Sequence, residues 1–157
     1  MKRIPLTQGQ FALVDDDDFD WLMLWKWRAL RDGNTWYAVR SRSSGPRPRK
    51  MYLMHAVIGG NIKTDHKNGN GLDNQRHNLR PASNQQNAAN QLVARKNNTS
   101  GFKGVTFRRD REKWKAQIRV ANRLLFLGLF QNREEAARAY NRAATKFFGE
   151  YARLNPV

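Results

Sequence analysis

The residues best suited to chemistry lie between His55 and Asn87. Asp65 and His66 stand side by side, ahead of Lys67-Asn68-Gly69-Asn70-Gly71. Asn78-Leu79-Arg80 follows, and then Asn84-Gln85-Gln86-Asn87. The carboxylate of Asp65 and the amide of Asn87 offer hard oxygen donors of the kind that Mg2+ accepts. An imidazole titrates near ~6.5, so His66 can take a proton from water at neutral pH. Such a set suits hydrolysis of a phosphodiester, where a cation neutralises charge on the leaving oxygen. Asn78 has the reach to fix the loop or the imidazole. His77 reads as a loop residue or a phosphate contact, and His55 as structural or phosphate-facing.

The elements that must position these groups read as strand, loop, strand, helix. The Asp-His pair closes a short extended run, and a Gly/Asn-rich loop follows with strong turn chemistry. Leu79 resumes an extended segment, and Ser83 with Gln86 three residues on is a capping box that opens a helix. This stretch resembles the ββα-metal core of HNH endonucleases, in particular the phage and intron homing branch. Asp65-His66, Asn78-Leu79 and Asn87 fall at that branch's spacing, and His55 stands at its His-Arg signature with Ala56 in place of Arg. The resemblance implies that Asp65 and Asn87 hold one Mg2+ or Mn2+ ion per active site. It implies that His66 activates water, that Asn78 orients, and that cleavage leaves 5′-phosphate and 3′-hydroxyl ends. One such site cuts one strand, so a monomer nicks and a homodimer could break both.

The chain has 157 residues and a formal charge of +16, with a pI near 11.1. So large an excess points to a polyanionic partner, most simply a phosphate backbone. No apolar run approaches the roughly 20 residues of a transmembrane helix, and Met1-Lys2-Arg3-Ile4-Pro5 does not open a signal peptide. No membrane partner and a cytoplasmic location (the host cytoplasm for a phage protein) are therefore expected. The absence of Cys excludes disulfides and Cys-ligated zinc.

Residues 1–54 read as a β-rich lead-in to a nuclease domain spanning 1–92, with the core at 55–92. Asp15 to Asp18 is expected to be an exposed turn and helix N-terminus, where acids favour the dipole, rather than a metal cluster. Leu24–Leu30 and Trp36–Val39 form a hairpin pattern around Asp32-Gly33-Asn34. Arg40 to Lys50 is basic and turn-rich, and Arg47 and Arg49 are candidate DNA contacts. Met51 to Met54 reads as a strand leading to His55.

A basic linker at 93–100 precedes a second domain at 101–157. Val105–Arg108 is strand-like, and Lys113–Val120 alternates strictly. Trp114, Ala116, Ile118 and Val120 fall on one face; Lys113, Lys115, Gln117 and Arg119 fall on the other. Leu124–Phe130 is a third strand. Asn132 caps a helix whose buried face is expected to carry Ala136, Tyr140, Ala143 and Phe147. A three-stranded antiparallel sheet packed on one helix, with a basic outer face, suits the DNA major groove. Residues 101–156 resemble the plant Apetala/ERF DNA-binding domain through Gly101-Phe102-Lys103-Gly104-Val105, Trp114-Lys115-Ala116-Gln117-Ile118-Arg119, Leu127-Gly128-Leu129-Phe130 and Glu135-Ala136-Ala137.

That resemblance implies duplex DNA as partner and carries over Arg108, Arg119 and, in place of an Arg, Lys103 as contacts; Lys115 and Arg123 are further candidates in the basic segment. Phe126 stands where the plant domains have Trp, and Gln117 where they have Glu, so their sequence preference does not carry over. Residues 95–157 hold a net +10 against +6 for residues 1–94, so the smaller part carries the larger excess. The expected fold class is α+β: a ββα-metal core with a β-rich extension, then a small sheet-and-helix domain. The competing function is a sequence-specific DNA-binding regulator with a vestigial nuclease core.

Overall fold

A computed structural model describes residues 1–33, 35–41, 50–91 and 98–157. Arg47, Arg49 and most of the expected linker lie outside these residues. The fold is mixed, with small antiparallel sheets and four α-helices among the described residues. It divides into two compact units, Met1–Ser83 and Asn84–Val157.

In the first unit, β1 (Lys2–Pro5) pairs antiparallel with β2 (Phe11–Val14). α1 (Asp16–Leu22) follows, with Asp15 extended at its N-cap and three acids in its first turn. β3 (Arg28–Asp32), β4 (Thr35–Ser41) and β5 (Met51–Leu53) form an antiparallel sheet in that order. α2 (Met54–Ile58) starts where a continuing strand was expected, so His55 sits on a short helix. β6 (Thr64–His66) and β7 (Leu79–Pro81) close the unit as a two-stranded ladder. Ile4, Val14, Leu22, Trp27, Ala38 and Met54 form its core. The buried Trp27 satisfies its indole N–H on Leu22 O at 2.9 Å, as a buried Trp must.

The second unit begins with α3 (Asn84–Ala89), which the sequence reading placed with the nuclease core. The contacts explain its assignment: Ala89 O accepts from Arg153 N at 3.2 Å and from Lys103 Nζ at 3.0 Å. β8 (Val105–Arg108), β9 (Lys113–Val120) and β10 (Arg123–Phe130) make an antiparallel sheet with β9 central. α4 (Arg133–Phe148) packs on it, and Asn132 Oδ1 accepts from Glu135 N at 2.8 Å as its cap. Small side chains on both layers (Ala116, Ala136, Ala137) let helix and sheet approach closely. Gly104 is required there: its φ is +71°, and a Cβ would lie 2.2 Å from the Tyr140 ring and 2.4 Å from Gln117 O. The helix face differs from expectation at one position. Phe148 joins the core, whereas Phe147 is 42% exposed.

Candidate functional site

β6 presents Asp65 and His66 in succession, and both are buried, at 4% and 5% exposure. In the ladder Asp65 stands opposite Arg80 and His66 opposite Leu79. Arg80 donates to Asp65 Oδ2 from Nε at 3.1 Å and from Nη2 at 3.0 Å. This buried ion pair keeps a carboxylate inside the fold by supplying its countercharge.

His66 Nε2 lies 3.3 Å from Asn74 Oδ1. Asn74 Nδ2 donates to Leu72 O at 3.2 Å, which fixes the amide with its oxygen toward the imidazole. Nε2 therefore carries the proton, and Nδ1 is the basic nitrogen. Burial lowers the pKa of His66, while the bond to Asn74 and the charges of Asp65 and Asp73 oppose that shift. The His55 ring packs edge-on against it, with centroids 4.7 Å apart. Burial, and then His66, bring His55 down to about 3. Tyr37 on β4 completes the ring cluster, 5.7 Å from His55 and 6.0 Å from His66. Both imidazoles are thus neutral at pH 7.

The loop between β6 and β7 is held from inside and outside. Inside, Asn78 Nδ2 donates to Asp73 O at 2.8 Å and to Asn68 Oδ1 at 3.1 Å, and its Oδ1 accepts from Asn68 N at 3.0 Å. These bonds tie Asn78 to the loop and not to the imidazole. Gly71 N donates to Thr35 Oγ1 at 3.1 Å, and a Cβ at Gly71 would lie 2.4 Å from Trp36 O. Outside, Leu13 on β2 bridges to the loop through Leu13 N to Leu72 O and Asn74 N to Leu13 O, each 2.8 Å.

The acidic run corrects an expectation here. Asp18 is 1% exposed and accepts from Arg76 Nε at 2.8 Å, Arg76 Nη2 at 2.7 Å and Trp21 Nε1 at 3.1 Å. Asp15 Oδ2 accepts from Arg76 N at 2.7 Å. Half of the run is therefore a clamp on the loop, while Asp16 and Asp17 are exposed.

His77 is exposed on the loop, where its carbonyl accepts from Lys67 Nζ at 2.8 Å. Asn87 is exposed on α3, in the second unit. Among the described residues no group of three or more His, Asp or Glu side chains gathers as a metal cluster.

On the second unit's sheet, register and alternation put Thr106, Arg108, Lys113, Lys115, Gln117 and Arg119 on the face away from α4. Arg108 forks onto Asp110 at 2.8 and 2.7 Å, and Arg119 Nη1 donates to Asn122 O at 3.3 Å. Two of the expected contacts lie elsewhere. Arg123 pairs with Val120 and so shares the helix-side face at the strand end. Lys103 precedes β8 and donates to Ala89 O at 3.0 Å and Gln91 O at 3.1 Å. Burial, then Arg153, lowers its pKa to about 8. Missing from the sequence reading were two apolar members of the outer face, Leu124 (53% exposed) and Leu129 (37%), which join Phe126 (65%) there. Their signal was the strand pairing itself, which sets Leu124 opposite Arg119 and Leu129 opposite Lys115.

Fold and site together define a two-unit α+β chain. One unit carries a buried Asp-His centre beside an amide-stapled loop, and the other a basic sheet backed by a helix. No family model matches the chain. It is 31% identical over 155 residues to an uncharacterized HNH endonuclease of Acanthamoeba polyphaga mimivirus, covering 96% of this chain and 77% of that protein. The chain belongs to the HNH endonuclease family. Over 59 residues it is 42% identical to an AP2-like ethylene-responsive transcription factor of Arabidopsis thaliana. A dehydration-responsive element-binding protein of the same plant is 46% identical over 61 residues. Each match covers 38% of this chain, but only 12% and 18% of those proteins. No helix among the described residues is long and apolar enough to cross a membrane.

Proposed function

We propose that the chain is a metal-dependent DNA endonuclease that hydrolyses phosphodiester bonds and is brought to duplex DNA by its C-terminal unit. The observation that carries this reading is the Asp65-His66 pair, in which an imidazole oriented by Asn74 and kept neutral by burial follows a buried carboxylate in the chain. Asp65 and Asn87 are the residues that would hold Mg2+ or Mn2+, since both offer hard oxygens. Once bound, the ion would supply charge neutralisation at the phosphate. The β6–β7–α3 order along the chain would then be the ββα-metal core of the family.

His66 has the simpler task. With Nε2–H turned to Asn74, Nδ1 is the nitrogen that takes a proton from the attacking water. Burial keeps it unprotonated and ready at neutral pH. Asn78 acts at one remove, by holding the loop on which Asn74 stands. Lys115 and Arg119 on the outer sheet face would neutralise backbone phosphates, with Gln117 and Phe126 between them on the same face.

Supercoiled plasmid incubated with Mg2+ tests the proposal. Open-circle product is expected, lost with EDTA and with His66→Ala. Linear product from single encounters would indicate two cooperating sites. Tight duplex binding with no cleavage on any DNA would replace this reading with that of a DNA-binding regulator.

A further inference from the structure

Most arginines that the structure pairs have a carboxylate. Arg76 has Asp18, Arg80 has Asp65, Arg108 has Asp110 and Arg133 has Glu134. Arg40 is different. Its guanidinium lies 4.3 Å from the Trp25 ring centroid, 4.8 Å from Tyr52 and 5.6 Å from Trp27. Among the described residues, its Nε is the one buried side-chain nitrogen or oxygen that lacks a hydrogen-bond partner. Lys50 Nζ sits 5.3 Å from the same Tyr52 ring, on an exposed residue. Two cations thus share one aromatic platform, and neither has an acidic partner among the described residues.

With Nε buried, the Nη1–Nη2 edge of the stacked guanidinium is the one that can offer two parallel hydrogen bonds to a phosphate. Stacking also removes most of the rotamer freedom that binding would otherwise cost. The position is rigid, because Arg40 and Tyr52 stand opposite each other in the β4–β5 ladder. It is also tied to the site. β4 carries Tyr37 three residues earlier, on the order of 10 Å along the strand, and β5 runs directly into the helix bearing His55. An anion held here lies at a fixed distance from His66.

We propose that Arg40 and Lys50, presented on Trp25 and Tyr52, each bind a backbone phosphate of duplex DNA and set its register against the Asp65-His66 centre. This rests on the reading of the chain as a DNA enzyme.

The test is the salt dependence of duplex binding by the full chain, measured by fluorescence anisotropy in EDTA so that nothing is cut. Each neutralised phosphate contributes about 0.9 to the slope of log K against log salt. Arg40→Gln and Lys50→Gln are each expected to reduce the slope by about 0.9. Between 50 and 200 mM salt, the advantage of wild type over either variant then shrinks by about 3.5-fold. Tyr52→Leu keeps both charges, so it should weaken binding while leaving the slope in place. If Arg40→Gln fails to fold, Lys50→Gln decides the matter, because that side chain is exposed. An unchanged slope in the folded Gln variants would overturn the proposal and leave the platform a packing feature, with the endonuclease reading intact. Wild-type chain that binds no duplex at any salt would overturn both.

Discussion

Replacing Asp18 by alanine is expected to loosen the loop that carries Asn74 and Asn78 from outside the site. The carboxylate is 1% exposed and accepts three hydrogen bonds, at 2.7, 2.8 and 3.1 Å. Two come from Arg76, whose side chain is 61% exposed and regains water when released, so that ion pair is worth far less than a buried one. The third comes from Trp21, whose indole N–H loses its acceptor in a part-buried position. A charged hydrogen bond contributes about 1.5–3 kcal/mol, and an abandoned buried donor costs about 1–3 kcal/mol. Discounting the solvated Arg76, the expected loss is about 2–3 kcal/mol. Asp17→Ala is the control, since it sits in the same acidic turn but is exposed, and it should stay within about 0.5 kcal/mol. Urea unfolding of both variants measures the difference. Plasmid nicking adds the functional readout: loosening residues 73–78 should lower kcat with little effect on KM, because the proposed DNA contacts lie on other elements. Equal midpoints and equal kcat for the two variants would refute the clamp.

Three further outcomes follow from the geometry. Between pH 6.5 and 3 an unfolded His55 binds a proton that the folded one, at about 3, does not; stability therefore falls as the solution is acidified, by about 2–3 kcal/mol from pH 7 to 4.5, and His55→Gln should remove that share in urea unfolding at the two pH values. The lowered pKa of His66 keeps its base form populated below the ordinary imidazole range, so the acid limb of kcat/KM should fall below that of an unperturbed imidazole, and Asn74→Ala, by removing a bond that raises that pKa, should move the limb lower still. Gly104→Ala drives a Cβ into Tyr140 and the Gln117 carbonyl at a φ of +71°; a loss of about 3 kcal/mol or more is expected from overpacking and left-handed strain together, seen as an early thermal transition with lost duplex binding.

The second unit was the more legible half, and the reason is periodicity. Strict alternation over Lys113–Val120 sorts side chains to two faces whatever the sheet packs on, and the observed burial of Ala116 and Ile118 follows from it. What alternation could not supply was the bulge between Phe126 and Gly128, because a register shift depends on the partner strand. Phe147 and Phe148 show the same limit on the helix. Adjacent positions differ by about 100° of rotation, and only the sheet's location decides which of them is buried. In the first unit the helix at Met54–Ile58 was hidden, since five residues are too few to show a helical period.

In the site, chemistry and support had different visibility. Asp65 and His66 are adjacent in the chain, so their pairing could be read directly. Their supports come from far away in sequence: Arg80 from the next strand, Asn74 from the loop, Asp18 from a helix 58 residues before Arg76. Arg80 was within reach, because opposite charges facing each other across a two-stranded ladder are a recognisable pair once the register is known. Asp18 was not, because an isolated run of four acids carries no information about which one turns inward. The burial pattern along the run, with Asp18 inside and Asp16 and Asp17 outside, follows from α1 packing its Leu22 side on the core. A helix N-terminus that normally needs only solvent thereby holds a loop in place. The same acids that read as the least chemical part of the lead-in are what connect its core to the position of His66.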